Sequence, residues 1–394
     1  MGKQSLRIAM ICTEMLPVPP IRGGAVQILI QGAASYLSKK HRVTIYSISD
    51  PDLADREFVD GIEYVRLPAD GYEYRVGMEL ARLRKTKLLY DVIHVFNRPR
   101  NVLIYKSAMP ESRFVLSLHN EMYRDGKISL ELGRLTIRAL DRIMSISDYI
   151  GRTIAARFPA ARRKLRTVYS GIDLERYAPA WTEAGQALRD QMRKKYGLEG
   201  KKVVLFVGRL SAVKGPDVLI RGMEPIFAKY PESVLVIVGS KWFHDEKIDE
   251  FGARLRRLAE PFGDRIRFTG FVPPDRLPEA FLLGDVFVCS SQWQEPLARV
   301  HYEAMGAGLP VVTTNRGGNG EIISHMTNGW LIDDYTNPNA FTEAIDALFG
   351  QPEEALRMAK AGRAFVENDF GFEHAAARLE QLYREALRRK KTKH

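Results

Sequence analysis

The sequence predicts an α/β protein with two doubly wound domains, each built on a parallel sheet. Short, almost continuous apolar segments alternate with longer helical stretches along the whole chain. Strands that lack polar alternation are buried on both faces, which is typical of parallel sheets covered by helices. These segments fall into two sets, and 394 residues exceed the size of one average domain. We therefore expect two sheets rather than one.

The first set of predicted strands ends at residue 147, and the second set begins at residue 202. The first set comprises 6–12, 42–48, 62–67, 91–96, 113–118 and 142–147. The second set comprises 202–208, 233–239, 265–270, 285–290, 309–314 and 329–333. Between them, 176–202 opens with proline and polar residues and contains one charged helix, so the domain boundary is placed there. The predicted domains are 1–178 and 179–370, followed by a helix over 371–394.

The last helix carries an apolar face that needs a groove, which either domain could supply. That face consists of Ala375, Leu379, Leu382, Tyr383, Ala386 and Leu387.

The composition excludes several classes of protein. No run of eighteen apolar residues occurs, so no helix is expected to span a membrane. The N-terminus enters an apolar strand directly and lacks a cleavage site, so no secretory signal is expected. Cys12 and Cys289 lie in or beside apolar runs, which indicates buried thiols in a cytoplasmic protein. The eight histidines form neither HExxH nor a Cys/His cluster, so no built-in zinc site is predicted.

The net charge of +11 points to an anionic partner, although solubility alone also explains it. No nucleic-acid-binding module is present, so we expect no nucleic acid partner. Phosphorylated small molecules and anionic lipid surfaces remain. Basic residues concentrate in the tail over 384–394, which could contact an anionic membrane, or could be a solvated helix end that suits its own dipole.

Two groups of residues follow strand ends, where parallel sheets collect ligands. Gly23 and Gly24 follow the first strand and precede a helix, so their backbone could approach an anion or a sugar; a plain turn is the alternative. Arg209 and Lys214 follow 202–208 at the start of another helix. Cations there oppose the helix dipole, which indicates a bound anion, with solvated side chains as the alternative.

The segment from Glu295 to Glu303 combines two carboxylates with a helix start. Pro296 biases Glu295 to an extended conformation, and a helix is predicted to begin over 297–299. Glu303 lies one turn beyond Arg299 on the same face. The backbone N–H groups at this helix start could bind a diphosphate in the middle of a ligand. Hydroxyl groups at the two ends of the same ligand could then reach the two glutamates. The N–H groups in question are those of Leu297, Ala298, Arg299 and Val300. A cap at Glu295 and a surface acid at Glu303 are the alternative.

Three further sites follow strands. His119 directly follows 113–118 and should face the ligand crevice, or be a structural imidazole, whereas His94 lies in mid-strand and should belong to the core. The backbone at Val272 could pair with a nucleobase edge. Asp50 and Asp52 form a D-x-D that could hold a divalent metal, but a turn is the preferred interpretation.

The residues over 22–27, 169–177, 207–220, 270–281 and 290–323 resemble those of retaining glycosyltransferase family four, whose members have the GT-B fold. The resemblance covers almost the whole chain. It implies two Rossmann-like domains with an interdomain cleft, the acceptor in the first domain and the nucleotide-sugar in the second. It also implies that the last helix returns to the N-terminal domain.

By the same resemblance, Glu303 matches the ribose-binding glutamate and Glu295 the one near the hydroxyls of the donor sugar. Arg209 and Lys214 match the pair that neutralises the diphosphate, and His119 the histidine near the reacting sugar. Gly24 matches the loop glycine that approaches the donor. The family often has Phe-Gly where this chain has Leu297 and Ala298, which puts the sugar preference in doubt. The segment from Glu295 is reminiscent of spore-coat-associated members.

These residues lead us to expect a cytoplasmic enzyme that could be membrane-peripheral or spore-associated and that needs no metal or other cofactor. It would transfer a hexosyl or N-acetylhexosaminyl group from a nucleoside diphosphate to the hydroxyl of a saccharide, lipid-linked or other acceptor, with retention of configuration. A nucleotide-sugar epimerase and a non-catalytic coat or scaffold protein are the alternatives, because fold alone does not determine function.

Overall fold

The computed structural model describes residues 4–240 and 249–388. The chain divides into a first unit, Met1–Gly171 with Phe372–His394, and a second unit, Ile172–Gly371. The boundary between the two units, after Gly171, therefore lies a few residues before the 178/179 boundary placed from the sequence. Each unit contains one sheet covered by helices, which confirms the predicted fold class.

The first sheet has the strand order β3-β4-β2-β1-β5-β6-β7-β8, and only the β3–β4 pair is antiparallel. The predicted strands of this unit are confirmed. Two others, β3 and β8, were not predicted, because both are short and rich in charged or polar residues. The strands are β1 (Arg7–Ile11), β2 (Arg42–Ile48), β3 (Arg56–Val59), β4 (Ile62–Leu67), β5 (Val92–Phe96), β6 (Arg113–Leu118), β7 (Arg142–Ser145) and β8 (Leu165–Thr167).

Five helices connect the strands of the first unit. Ser129 and Ser147 cap two of them by accepting hydrogen bonds from the backbone N–H groups of the first turn. The helices are α1 (Ala25–Leu37), α2 (Tyr72–Lys85), α3 (Asn101–Ala108), α4 (Leu130–Ala139) and α5 (Asp148–Arg157).

The second sheet is entirely parallel, with the order β11-β10-β9-β12-β13-β14. The strands confirm the second predicted set, each within two residues at either end. They are β9 (Lys202–Val207), β10 (Ser233–Val238), β11 (Ile266–Gly270), β12 (Val286–Cys289), β13 (Val311–Thr314) and β14 (Trp330–Ile332).

The helices of the second unit pack on both faces of its sheet, and Leu219, Met223 and Phe341 lie at the centre of its apolar core. Proline occupies the first helical position in several of them, where its missing N–H costs nothing. The helices are α6 (Glu183–Lys195), α7 (Pro216–Lys229), α8 (Glu250–Ala259), α9 (Leu277–Phe281), α10 (Val300–Gly306), α11 (Pro338–Gly350) and α12 (Pro352–Asp369).

The last helix, α13 (Phe372–Leu387), packs against α1 and the strands β5 to β7 of the first unit. The face predicted from sequence is buried except at Leu387, which is partly exposed. Tyr383 places its hydroxyl 2.7 Å from Nδ1 of His94, and His94 is fully buried, which confirms His94 as a core residue. The end of the basic tail, 389–394, lies outside the described residues.

Two further sequence expectations can be compared with the structure. Cys12 and Cys289 are buried free thiols, as predicted. Across 4–240 and 249–388, no helix combines the length and the apolar character that crossing a bilayer requires.

Candidate functional site

The second sheet reverses its strand order between β9 and β12, because β10 and β11 lie on one side and β13 and β14 on the other. Ligands of open parallel sheets bind beyond the carboxyl ends of the strands at such a reversal. The segment after β9 carries Arg209 and Lys214, and the segment after β12 carries Glu295. The topology therefore brings these candidate residues to one edge of one sheet.

The loops after β9 and β12 are joined by hydrogen bonds. The Ser290 hydroxyl donates to the carbonyls of Lys214 and Gly215 at 3.1 and 2.9 Å, and the Gln292 N–H donates to Val213 at 2.9 Å. Gly215 has φ 65°, and a Cβ there would lie 2.2 Å from the Ser290 carbonyl oxygen. Only glycine allows this approach, so the loop that presents Lys214 is held in one position.

Lys214 and Glu295 form an ion pair across the two loops. Glu295 is 3% exposed, and its carboxylate also accepts a hydrogen bond from the Ser291 hydroxyl at 2.6 Å. Burial alone would raise the pKa of Glu295, but Lys214 and Ser291 outweigh burial and lower that pKa below its usual value. Glu295 is therefore a carboxylate at neutral pH, held against a cation.

The glycine-rich loop over 315–321 supports the backbone of Glu295. The Gly318 N–H donates to the Glu295 carbonyl at 2.7 Å, and the Gly317 N–H donates to the Gln294 side chain at 2.7 Å. Gly317 has φ 61°, and a Cβ there would lie 2.0 Å from the Glu295 carbonyl oxygen. The glycines after β13 thus allow close packing against the segment that carries Glu295.

The helix start after Glu295 differs from its prediction. Helix α10 begins at Val300 and not over 297–299, and Leu297 and Ala298 form buried, non-helical backbone. The Ala298 N–H points to the Asn319 side-chain oxygen at 3.4 Å. It is therefore already engaged, and the prediction that all four N–H groups are unpaired was wrong at this residue. Asn319 is fully buried, and its side chain competes with any ligand for the Ala298 N–H.

Glu303 lies on α10 and is 6% exposed, with one carboxylate oxygen 3.5 Å from the Arg299 guanidinium. Burial raises the pKa of Glu303 above its usual value, although Arg299 and Arg176 oppose that rise. The structure thus pairs Arg299 with Glu303, one turn apart, as their spacing predicted. A buried carboxylate of this kind has lone pairs that ligand hydroxyl groups could satisfy.

The remaining candidates of the second unit lie after β9 and β11. Arg209 is exposed and comes just after the end of β9. Val272 is half-buried, shortly after β11. The Arg176 guanidinium donates to the carbonyls of Pro274 and Asp275 at 2.9 and 3.1 Å, so it holds the loop that carries Val272.

In the first unit, His119 directly follows β6 and is 9% exposed. Its ring stacks on Phe96 with centroids 5.9 Å apart, and its backbone N–H donates to the Asn97 side-chain oxygen at 3.0 Å. Burial lowers the pKa of His119 to about 4, so the imidazole is neutral at physiological pH. Its buried Nε2 has no hydrogen-bond partner among the described residues, and a ligand hydroxyl could supply one.

Gly23 and Gly24 lie between β1 and α1 with φ of 82° and 100°. Gly24 directly precedes α1, and a Cβ there would lie 2.3 Å from the Gln27 side-chain oxygen. In the same unit, the Arg98 guanidinium donates to both oxygens of Glu14 at 2.8 and 2.7 Å. This pair joins the segments after β1 and β5, between which the first sheet reverses its order.

Asp50 and Asp52 form a turn after β2, as predicted, in which the Leu53 N–H donates to the Asp50 carbonyl at 3.0 Å. Both carboxylates bind the Arg22 guanidinium. In the described part of the chain, no group of three or more His, Cys, Asp or Glu residues could hold a metal ion.

Five residues near the candidate sites were not identified from the sequence. Asn97 directly follows β5, and Ser291 comes two residues after the end of β12, so the rule that identified His119 could also have identified them. Asn97 has φ 57°, a conformation that asparagine tolerates better than most residues. Asn319 and the Glu14–Arg98 pair carry no comparable sequence signal.

Comparisons with known proteins identify the family of this chain. The family model described as Glycosyltransferase Family 4 matches residues 22–176, and the model Glycosyl transferases group 1 matches residues 189–365. The chain is 48% identical to spore coat protein SA of Bacillus subtilis (strain 168), over 96% of this chain and 99% of that protein. It is also 48% identical to YtcC of the same strain, which bears the name of a glycosyltransferase, over 97% of this chain and 93% of YtcC.

The fold is similar to that of solved glycosyltransferases. The crystal structure of Anabaena Alr3699/HepE in complex with UDP-glucose superposes with a TM-score of 0.75 at 18% identity, over 95% of this chain and 98% of that one. The resemblance found in the sequence is thereby confirmed. The chain belongs to glycosyltransferase family 4, has the GT-B fold and is a glycosyltransferase.

Proposed function

We propose that this enzyme transfers a hexosyl or N-acetylhexosaminyl group from a nucleoside diphosphate to an acceptor hydroxyl, with retention of anomeric configuration. The proposal depends above all on the buried Lys214–Glu295–Ser291 network at the strand reversal of the second sheet. It sets a cation and an ionised carboxylate side by side at the edge where parallel sheets bind ligands. HepE, a protein of the same fold, binds UDP-glucose, which supports a nucleotide-sugar donor.

The donor would use the charged residues of the second unit. Lys214 and Arg209 would neutralise the diphosphate, together with N–H groups over 297–300 other than that of Ala298, and Glu303 would accept hydrogen bonds from the ribose. Glu295 would accept hydrogen bonds from the transferred sugar. The backbone at Val272 would contact the base. In the first unit, Gly23 and Gly24 would let the backbone approach the donor without a Cβ in the way.

Departure of the nucleoside diphosphate builds negative charge on its leaving oxygen. Lys214 and Arg209 would stabilise that charge, and we propose that these two cations supply what a divalent metal supplies elsewhere. Because Lys214 is already held by Glu295 and its loop is joined to Ser290, little reorganisation would accompany the reaction. Such preorganised groups typically contribute ~3–4 kcal/mol of transition-state stabilisation each.

Glu295 is a poor candidate for a covalent nucleophile, because Lys214 and Ser291 already engage its carboxylate. We therefore propose attack of the acceptor on the face from which the diphosphate leaves. The neutral imidazole of His119 would hydrogen-bond the transferred sugar through Nε2. A trapped covalent glycosyl-enzyme would contradict this mechanism.

The acceptor is proposed to be a saccharide or a lipid-linked or other glycoconjugate. The similarity to spore coat protein SA supports a role in a cell that forms spores. We also propose that the enzyme acts on the cytoplasmic side. No nucleic acid partner is proposed. An epimerase would convert a nucleotide-sugar without any acceptor, and a scaffold protein would have no use for a buried ion pair at the strand reversal.

One set of incubations tests this function. Uridine, guanosine and adenosine diphosphate sugars are each supplied with and without a mixture of acceptor saccharides, in the presence of a metal chelator. We expect release of the nucleoside diphosphate and formation of a glycoside with the anomeric configuration of the donor. Conversion to a second nucleotide-sugar without acceptor identifies an epimerase. An inverted product, or activity that requires metal, contradicts retention or metal independence, respectively.

A further inference from the structure

Helices α2, α3 and α4 of the first unit form one layer, in which α3 packs against both α2 and α4. The outer side of this layer exposes large apolar side chains. Tyr74 and Met78, one turn apart on α2, are 62% and 72% exposed. Leu130 and Leu135 on α4 are 47% and 44% exposed. We call this outer side the α2–α4 face.

Basic residues lie among these apolar side chains. On α4, Arg134 and Arg138 are both exposed and one turn apart, so each lies near an exposed leucine. On α2 the exposed cations are Arg75, Arg82, Arg84 and Lys85. Glu79 on α2 binds Arg56 and Arg82 together, and Glu111 binds Arg84, so Arg75 and Lys85 are the cations of α2 without a carboxylate partner in the described contacts.

A basic hollow of about 930 Å³ adjoins the ends of α3 and α4. Its only lining carboxylate among the described residues is Asp141, which pairs with Arg113. Arg142, also in the hollow, pairs with Glu385. The other charged side chains that line it are all cationic: Lys106, Arg138, Arg163, Lys164 and Arg388. In the sequence, the chain continues from Arg388 with more basic residues, namely Arg389, Lys390, Lys391 and Lys393.

We propose that the α2–α4 face, together with this basic hollow, docks on the surface of an anionic lipid bilayer. Lipid headgroups would neutralise the cations, and Met78, Tyr74, Leu130 and Leu135 would enter the interfacial layer. A nucleic acid or another dissolved polyanion would satisfy the charges but would leave these apolar side chains in water. The proposal depends on this face alone, so it holds or fails independently of the transfer reaction.

Two properties follow from such a surface. Binding requires anionic lipid and weakens as salt rises, because each exposed cation contributes mainly through long-range attraction. Binding also depends on apolar insertion, so it loses strength when Met78 becomes charged even if the basic residues are intact.

The test is co-sedimentation of the full chain with vesicles of equal parts phosphatidylglycerol and phosphatidylcholine, and with phosphatidylcholine alone. We expect binding to the anionic vesicles only, and a loss of at least about tenfold in Arg134→Glu/Arg138→Glu. Met78→Asp should weaken binding about tenfold without changing the melting temperature.

Matched controls lie in the second unit. Arg256→Glu/Arg257→Glu makes the same charge change on the exposed side of α8, and Met326→Asp charges another exposed methionine, 44% accessible. Both should bind the anionic vesicles like the unaltered chain. A fall in binding equal to that of the α2–α4 variants would show that net charge alone matters, and would overturn the assignment of the face.

Absence of binding to the anionic vesicles overturns the proposal. A competition experiment, in which heparin or a short RNA duplex is added to the protein and the anionic vesicles at the same salt concentration, shows which class of anion the face binds. If Met78→Asp binds vesicles as well as the unaltered chain while Arg134→Glu/Arg138→Glu loses heparin and vesicles equally, the face is a general polyanion site and the lipid proposal is wrong.

Discussion

Both sheets reverse their strand order once, and in both an ion pair joins the two segments that leave the reversal. In the first unit the pair is Glu14 with Arg98, and in the second it is Lys214 with Glu295. Their side chains differ in exposure, 34% and 23% for the first pair against 19% and 4% for the second. The same topology has thus produced a half-buried pair in the first unit and, in the second, a pair whose carboxylate is almost fully buried.

The difference in burial determines what each pair can do. A solvent-exposed ion pair contributes little, because water and salt screen it. A buried pair is strongly coupled, and loss of one partner leaves an uncompensated charge in a poorly solvated place. The buried pair can therefore act as a preorganised electrostatic device, whereas the first unit offers a half-buried pair and a neutral imidazole, His119.

The largest expected effect is on turnover in Lys214→Ala. Removal of the cation should lower kcat by about a hundredfold or more, because one preorganised charge contributes ~3–4 kcal/mol to the transition state. Lys360→Ala, an exposed lysine on α12, is the control and should have normal turnover. Initial rates of nucleoside diphosphate release measure both, and near-normal turnover in Lys214→Ala contradicts the role of this residue.

Two variants compare how much each ion pair contributes to the free energy of unfolding. Glu295→Gln should lower the free energy of unfolding by about 3 kcal/mol, because Lys214 is left without its buried partner. Glu14→Gln should cost less, about 1 kcal/mol, since the Glu14 carboxylate is more accessible to water than that of Glu295. Denaturant unfolding of the two variants measures the difference. Equal losses would show that burial does not distinguish the pairs.

The supporting loop of the second pair can be tested by adding one methyl group. In Gly317→Ala the Cβ would meet the Glu295 carbonyl oxygen, so we expect a loss of about 2 kcal/mol of stability and weaker donor binding. Gly200→Ala is the control, because Gly200 has φ 68° but open space at its Cβ. If the two variants lose the same free energy of unfolding, the loss comes only from the positive-φ backbone conformation, and close packing against Glu295 plays no part.

The smallest effect concerns His119. His119→Ala should lower turnover about tenfold, the value of one hydrogen bond to the transferred sugar. Because burial lowers its pKa to about 4, the imidazole loses its proton well below neutral pH. The kcat profile should therefore show no histidine titration between about pH 5.5 and 8. An acidic limb near pH 6.5 that disappears in His119→Ala, but not in Asn120→Ala, contradicts a neutral role.

The apolar segments predicted the strands of both sheets because parallel strands are buried on both faces. That pattern did not predict β3 and β8, since β3 is an exposed edge strand and β8 has only three residues. The start of α10 was placed too early, because Asn319 holds the Ala298 backbone outside the helix. The Lys214–Glu295 contact joins residues 81 positions apart and depends on β9 lying beside β12. The separation of these two residues in the sequence does not reveal that β9 and β12 are neighbours in the sheet.

The proposed mechanism requires Lys214 to bind the diphosphate of a nucleotide-sugar while its partner Glu295 binds the transferred sugar. Calorimetric titration of the full chain with uridine, guanosine and adenosine diphosphate sugars, in the presence of a chelator, tests it most directly. The account predicts that at least one donor binds the unaltered chain and Lys360→Ala with equal affinity, and that Lys214→Ala binds it at least about tenfold more weakly. Equal binding by Lys214→Ala, or no binding of any donor to the unaltered chain, would contradict it.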